Sequence, residues 1–188
     1  ELLKAVSMSC QEDHFYYTNR MTFDEFFKLS SNVIKISACL ASPLNKLPIS
    51  HSVYEKLVKH YDYLEIQPHN HSDQKAYNVH LATLSEKYKK PLIAGTDTHS
   101  LNSYKAECRT MLQYSKDIDF ANEDTFDLTY KTYDELCAMF EKQGLDKNIY
   151  LEAINNTNVM ADSVEEFELD TSFKYPILYG DEDEQVLL

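Results

Sequence analysis

Between residues 33 and 115 the sequence alternates short apolar runs with helix-like segments, and few architectures accept that order. Residues 33–40 are β-branched and apolar and are expected to form a buried strand. Tyr63-Leu64-Glu65-Ile66-Gln67 reads as a second strand, stopped by Pro68. Pro91-Leu92-Ile93-Ala94-Gly95 reads as a third. Helical segments separate and follow them. Ser52-Val53-Tyr54-Glu55 has the form of a capping box opening a helix to about residue 61. Residues 72–89 should form the best helix, with Ala76, Val79, His80, Thr83, Leu84 and Tyr88 on its apolar face. Another helix is expected over 103–115. Short apolar strands joined through helices imply parallel pairing with right-handed crossovers, so the expected class is α/β, as an open sheet or an arc of a barrel.

The flanks are helical. Residues 2–8 look helical, and Thr22-Phe23-Asp24-Glu25 is a capping box for a short helix ending near residue 30. Thr132-Tyr133-Asp134-Glu135 is another, for a helix closed by Gly144, and a last helix is expected over 149–164. With no strand to pair with them, residues 117–188 are expected to be a helical extension, distinct from 1–116. The acidic stretch at 180–184 is read as a solvated linker or surface turn.

Charge and composition narrow the chemistry. A net charge of -13 is the wrong sign for a surface that grips phosphate unaided, although metal ions can mediate that contact. Only 3 glycines occur and no phosphate-binding glycine loop or nucleophile elbow is present. No apolar run reaches the roughly 18 residues of a membrane span, so no membrane partner is expected. The four cysteines show no C-x-x-C pair and are expected to be reduced thiols of a cytoplasmic protein, with Cys10, Cys108 and Cys137 as small core residues.

The sharpest local feature is Gly95-Thr96-Asp97-Thr98-His99 directly after an apolar strand. Strand ends in parallel α/β folds point into the functional crevice, and Asp97 and His99, two apart, share a face in extended backbone. A carboxylate and an imidazole so placed suit zinc or manganese; a surface pair or a helix cap is the plainer reading. Cys39 ends the 33–40 run in the same sense and reads either as a thiolate ligand or as a buried thiol. His69 and His71, in Pro68-His69-Asn70-His71, are candidates for metal or substrate contact. His80 reads as a packing histidine, and His14, His51 and His60 have no partner in sequence.

Taken in order, these segments resemble one family. Tyr63–Gln67, a helix and then Pro91–His99 resemble the end of the PHP (polymerase and histidinol phosphatase) domain of bacterial DNA polymerase III alpha subunits. Phe15-Tyr16-Tyr17 through Ile34–Leu40 resembles the preceding part of that domain. Tyr133-Asp134-Glu135-Leu136, Phe140, Glu152–Thr157 and Met160-Ala161 resemble the connector toward the polymerase palm. Gly95-Thr96 and Asn19-Arg20 depart from the family's usual residues, while Asp97-x-His99 is kept.

The resemblance implies a partial, distorted (β/α)7 barrel over 1–116 and a connector over 117–188. It implies that Asp97 and His99 match the last metal motif and Cys39 a cysteine ligand, the remaining ligands lying before Glu1, so that the chain begins inside a longer protein. It implies a divalent metal (Zn or Mn) at this site, Mg for the parent polymerase, and DNA and other replisome subunits as partners. The expected activity is that of a DNA polymerase (a nucleotidyltransferase) whose PHP site is a metal-dependent phosphoesterase, such as a 3′–5′ proofreading exonuclease. Two alternatives are a non-catalytic module that docks a separate proofreading exonuclease, and a stand-alone phosphatase acting on a small phosphorylated metabolite.

Overall fold

The computed structural model describes residues 1–118 and 126–173; the acidic stretch at 180–184 lies outside them. In chain order the elements are α1 (Leu2–Ser9), α2 (Phe23–Phe26), α3 (Pro43–Lys46), α4 (Tyr54–His60), β1 (Leu64–Ile66), α5 (Ser72–Tyr88), β2 (Leu92–Ala94), α6 (Ser103–Ser115), α7 (Tyr133–Gln143) and α8 (Lys147–Asp162). Strands β1 and β2 pair in parallel, with Leu64 opposite Leu92 and Ile66 opposite Ala94. Their link is α5, as parallel pairing requires a long crossover. The chain is thus broadly α/β, a mostly helical body around a small parallel sheet. No helix among the described residues is long and apolar enough to cross a membrane.

The strand expected over 33–40 does not form as a regular strand. Its backbone meets the sheet at one parallel bridge, Ile36 to Tyr63. Lys35 is buried, and its Nζ donates to the carbonyls of Ser30 and Val33 and pairs with Asp62 at 3.0 Å. Two residues beyond the bridge, Ala38 takes φ 58°, which ends extended backbone. The ladder is completed by a side chain instead: the Glu65 N–H donates to Ser37 Oγ at 2.8 Å.

Local capping explains several helix starts. Thr22 with Glu25 and Thr132 with Glu135 form reciprocal capping boxes. The Thr22 hydroxyl, then its N–H, and then His14 lower the Glu25 carboxyl to about 2. Gly144 closes α7 in the left-handed region at φ 79°. The box expected at Ser52 is not made. Val53 is the N-cap of α4, with no side-chain bond, and His51 Nδ1 instead accepts from the Val53 N–H.

Helix α5 turns inward a stripe rotated from the expected one: Gln74, Tyr77, Asn78, Leu81 and Leu84 are buried, so Leu84 lies as expected while Ala76, Val79 and Thr83 are exposed. Tyr77, Leu81 and Leu84 join the core, and Asn78 is fully paired beside them. Its Nδ2 donates to the Gln67 carbonyl (2.7 Å) and to Gln143 Oε1 (2.8 Å). Its Oδ1 accepts from the Gln67 N–H (3.2 Å) and Gln74 Nε2 (2.9 Å). Buried polar atoms are tolerable when paired in this way.

Helices α7 and α8 share the same core. Phe140, Tyr150, Ala153 and Ile154 pack in one cluster with Leu57, Leu64, Ile66, Leu81 and Leu92. Helix α8 lies against β2, and Asn156 Nδ2 donates to the Leu92 carbonyl at 2.7 Å. The β1 side of β2 is used by Pro91 O and Gly95 N, so by alternation Leu92 O points to the opposite edge. Asn156 therefore caps the carbonyl that a further strand would need. Cys10 and Cys108, expected in the core, are exposed.

Candidate functional site

The carboxyl ends of β1 and β2 carry the chemistry-bearing residues. Glu65, in the middle of β1, swings its side chain over Gly95, one residue past β2. A Cβ at position 95 would lie 2.2 Å from Glu65 Oε1 and 2.5 Å from its Cδ, so this strand end has room only for glycine while Glu65 stays in place. Gln67 Nε2 donates to the same oxygen at 2.7 Å. Burial raises the Glu65 carboxyl, the negative charge of Asp97 raises it further, and Gln67 opposes both.

After Gly95 the backbone turns sharply at Asp97, φ 49°. The turn brings the His99 ring back onto it: Nδ1 lies 2.6 Å from the Asp97 carbonyl oxygen and 3.9 Å from Oδ1. With Nδ1–H donating to a carbonyl, the Nε2 lone pair points outward, the tautomer a metal-ligating histidine uses. Asp97 and His99 are both exposed. Among the described residues no group of three or more His, Cys, Asp or Glu is placed to hold a metal ion. Cys39 is half-buried, next to the bend at Ala38, with its carbonyl accepting from the Ser42 N–H.

His69 and His71 have different surroundings. His71 is the N-cap of α5, its Nδ1 accepting from the Asp73 N–H at 3.3 Å. His69 is 3% exposed, and neither ring nitrogen has a hydrogen-bond partner among the described residues. The Phe126 ring packs against both, with centroids 4.9 Å from His69 and 5.5 Å from His71. The segment carrying Phe126 is tied to the second strand end, because the N–H groups of His99 and Ser100 donate to the Leu128 carbonyl. A cavity of about 520 Å³ adjoins His69, lined by Phe126, Lys131, Met139 and Lys142 among others. Gln143 of α7 holds the loop from below, its Nε2 donating to the carbonyls of Gln67 (3.0 Å) and His69 (2.7 Å). His80 packs on α4, its Nε2 2.6 Å from the Tyr54 hydroxyl.

Glu65 and Gln143 belong to this constellation and were missed as site residues. A charged residue between Leu64 and Ile66 in a buried strand was the available signal for Glu65. Gln143 lies far from the strand ends in sequence and carried none.

Burial lowers the His69 imidazole, the effect being partly offset by Asp97 and Asp127, and burial lowers His80 too. The unfolded chain then binds more protons than the folded one below the ordinary imidazole range, about 6.5. Stability should be insensitive to these groups above that range and fall as pH drops through it, by at most about 1.4 kcal/mol per pH unit per group. Urea midpoints taken from pH 7.5 to 5.5 should decline, and His69→Asn should flatten the slope.

No family model matches the chain. Among curated proteins the chain is similar to the DNA polymerase III subunit alpha of Borreliella burgdorferi, 28% identical over 192 residues. That alignment covers 94% of this chain and 16% of the relative, so the chain spans about a sixth of the relative's length.

Proposed function

We propose that these residues are a stretch of a bacterial replicative DNA polymerase III alpha subunit: the C-terminal part of its PHP domain (1–116) and the connector toward the palm (117–188). The observation that carries this reading is the similarity to such a subunit over 94% of the chain. The parent is then a cytoplasmic DNA polymerase that works with DNA, Mg and other replisome subunits. The PHP part is an incomplete, distorted (β/α)7 barrel, of which β1 and β2 with their crossover α5 form one arc.

In this reading the strand ends belong to a phosphoesterase centre holding a divalent metal, Zn or Mn. Asp97 and the Nε2 of His99 are two of its donors, Cys39 a third, and the rest come from the parent chain before Glu1. When bound, the metal supplies Lewis-acid activation of a phosphodiester and of the attacking water. The chain's own contribution is positional. The turn at Asp97 orients both donors, and Glu65 fills the space beside Gly95. His69 and His71 line the approach, where His69, held neutral by burial, can donate to or accept from a phosphoester.

The alternative is a non-catalytic module that docks a separate proofreading exonuclease. A stand-alone phosphatase has no comparable support, since α7 and α8 match the connector motifs.

Metal analysis of the full-length parent separates the readings. Bound Zn or Mn is expected, reduced at least about tenfold in affinity by Asp97→Asn or His99→Ala. A metal-free parent would sink the phosphoesterase reading. A parent with metal but no nuclease activity that co-purifies with an exonuclease would favour the docking module.

A further inference from the structure

Helix α6 is amphipathic in the reverse sense. At 100° per residue, Tyr104, Cys108, Met111 and Leu112 fall within a stripe about 100° wide, the width of a core-facing helix surface. Yet Tyr104 is 65% exposed, Met111 73% and Leu112 56%, and Cys108 is exposed as well. The half-buried side is the opposite one, Ala106, Arg109 and Gln113, which meets Phe126 and Leu128 across a small cavity. A helix that follows a strand in a parallel α/β unit turns its apolar stripe toward a sheet or another helix. In α6 the more polar side faces the body of the molecule and the apolar side faces out.

We propose that this stripe is an intramolecular interface, covered by an apolar surface from a part of the parent polypeptide outside residues 1–188. This rests on reading the chain as a stretch of a longer polymerase subunit, and the length of that subunit supplies the occupant: the region makes up 16% of the relative it matches. A second copy is a poor occupant. One face of a 13-residue helix is roughly 20 Å long and 10–12 Å wide, well short of the ~800 Å² per partner of a stable dimer. A membrane surface is a poor one too, because a chain of net charge -13 is repelled by anionic lipid. A contact within one polypeptide bears no translational cost of association, so a narrow stripe is sufficient there.

Cys108, at the centre of the stripe, reports on its cover. Labelling of the native full-length parent with N-ethylmaleimide, read at Cys108 by peptide mass spectrometry, should run ~100-fold slower than in urea-unfolded parent. Met111→Asp in the parent should raise the native rate at least ~10-fold by prising the interface open. Native labelling within about threefold of the unfolded rate would overturn the proposal. So would protection of Cys108 in the 188-residue chain alone that grows with its concentration, which would assign the stripe to a second copy. The parent reading fails on a different readout: a native polypeptide carrying this sequence with a mass of only 21.9 kDa.

Discussion

Replacing Phe140 with alanine is expected to destabilise the fold by about 3–5 kcal/mol, the range for removing a fully buried aromatic ring. Phe140 is inaccessible to solvent and stacks on Tyr150, with centroids 5.5 Å apart and planes 6° from parallel. The ring sits where α7 and α8 meet the core formed by α4, α5 and the sheet. Alanine would remove its transfer free energy and leave a cavity that the packed elements around it cannot readily close. The measurement is the urea midpoint of the chain, at constant m. A loss under about 1 kcal/mol would mean that α7 and α8 rest on the sheet without sharing its core.

The second large effect is expected at Asn78, whose replacement by leucine keeps the volume and removes four hydrogen bonds. The Gln67 N–H, Gln143 Oε1 and Gln74 Nε2 lose this partner in a buried site, whereas the Gln67 carbonyl keeps Gln143 Nε2. A stranded buried polar group costs about 1–3 kcal/mol, so Asn78→Leu should cost roughly 3–5 kcal/mol. Combining it with Gln143→Leu should cost less than the sum of the two single changes, because the pair then leaves fewer orphans. Strict additivity in the double-mutant cycle would show that the two amides are not coupled.

These sites mark the boundary of what the sequence discloses. The caps at Thr22 and Thr132 were legible because each is made within four residues. The one expected at Ser52 is not made, since α4 starts a residue later with Val53 at its N-cap. The α5 face was misread because the stripe of Tyr77, Leu81 and Leu84 carries Gln74 and Asn78 inward, where the hydrogen bonds of Asn78 to Gln67, Gln74 and Gln143 make their burial tolerable. The 33–40 run has a strand's composition, but the buried Lys35 and the bend at Ala38 stop it after one bridge. In the site, Asp97 and His99 were expected to share a face of extended backbone, but Asp97 takes φ 49° and the His99 ring turns back onto its carbonyl instead. The burial of His69 was not legible, since Phe126, which covers it, comes from the far side of α6.

The Asn156 cap on β2 has a consequence for synthesis. Leu92 leaves the ribosome 64 residues ahead of the side chain that seals its carbonyl. At 5–20 residues per second that interval lasts roughly 3–13 s. During it a short apolar strand offers an unguarded edge to any neighbouring nascent chain. The protection is vectorial, arriving only with α8, so a transcript truncated or stalled between the two would release a product with an adhesive border.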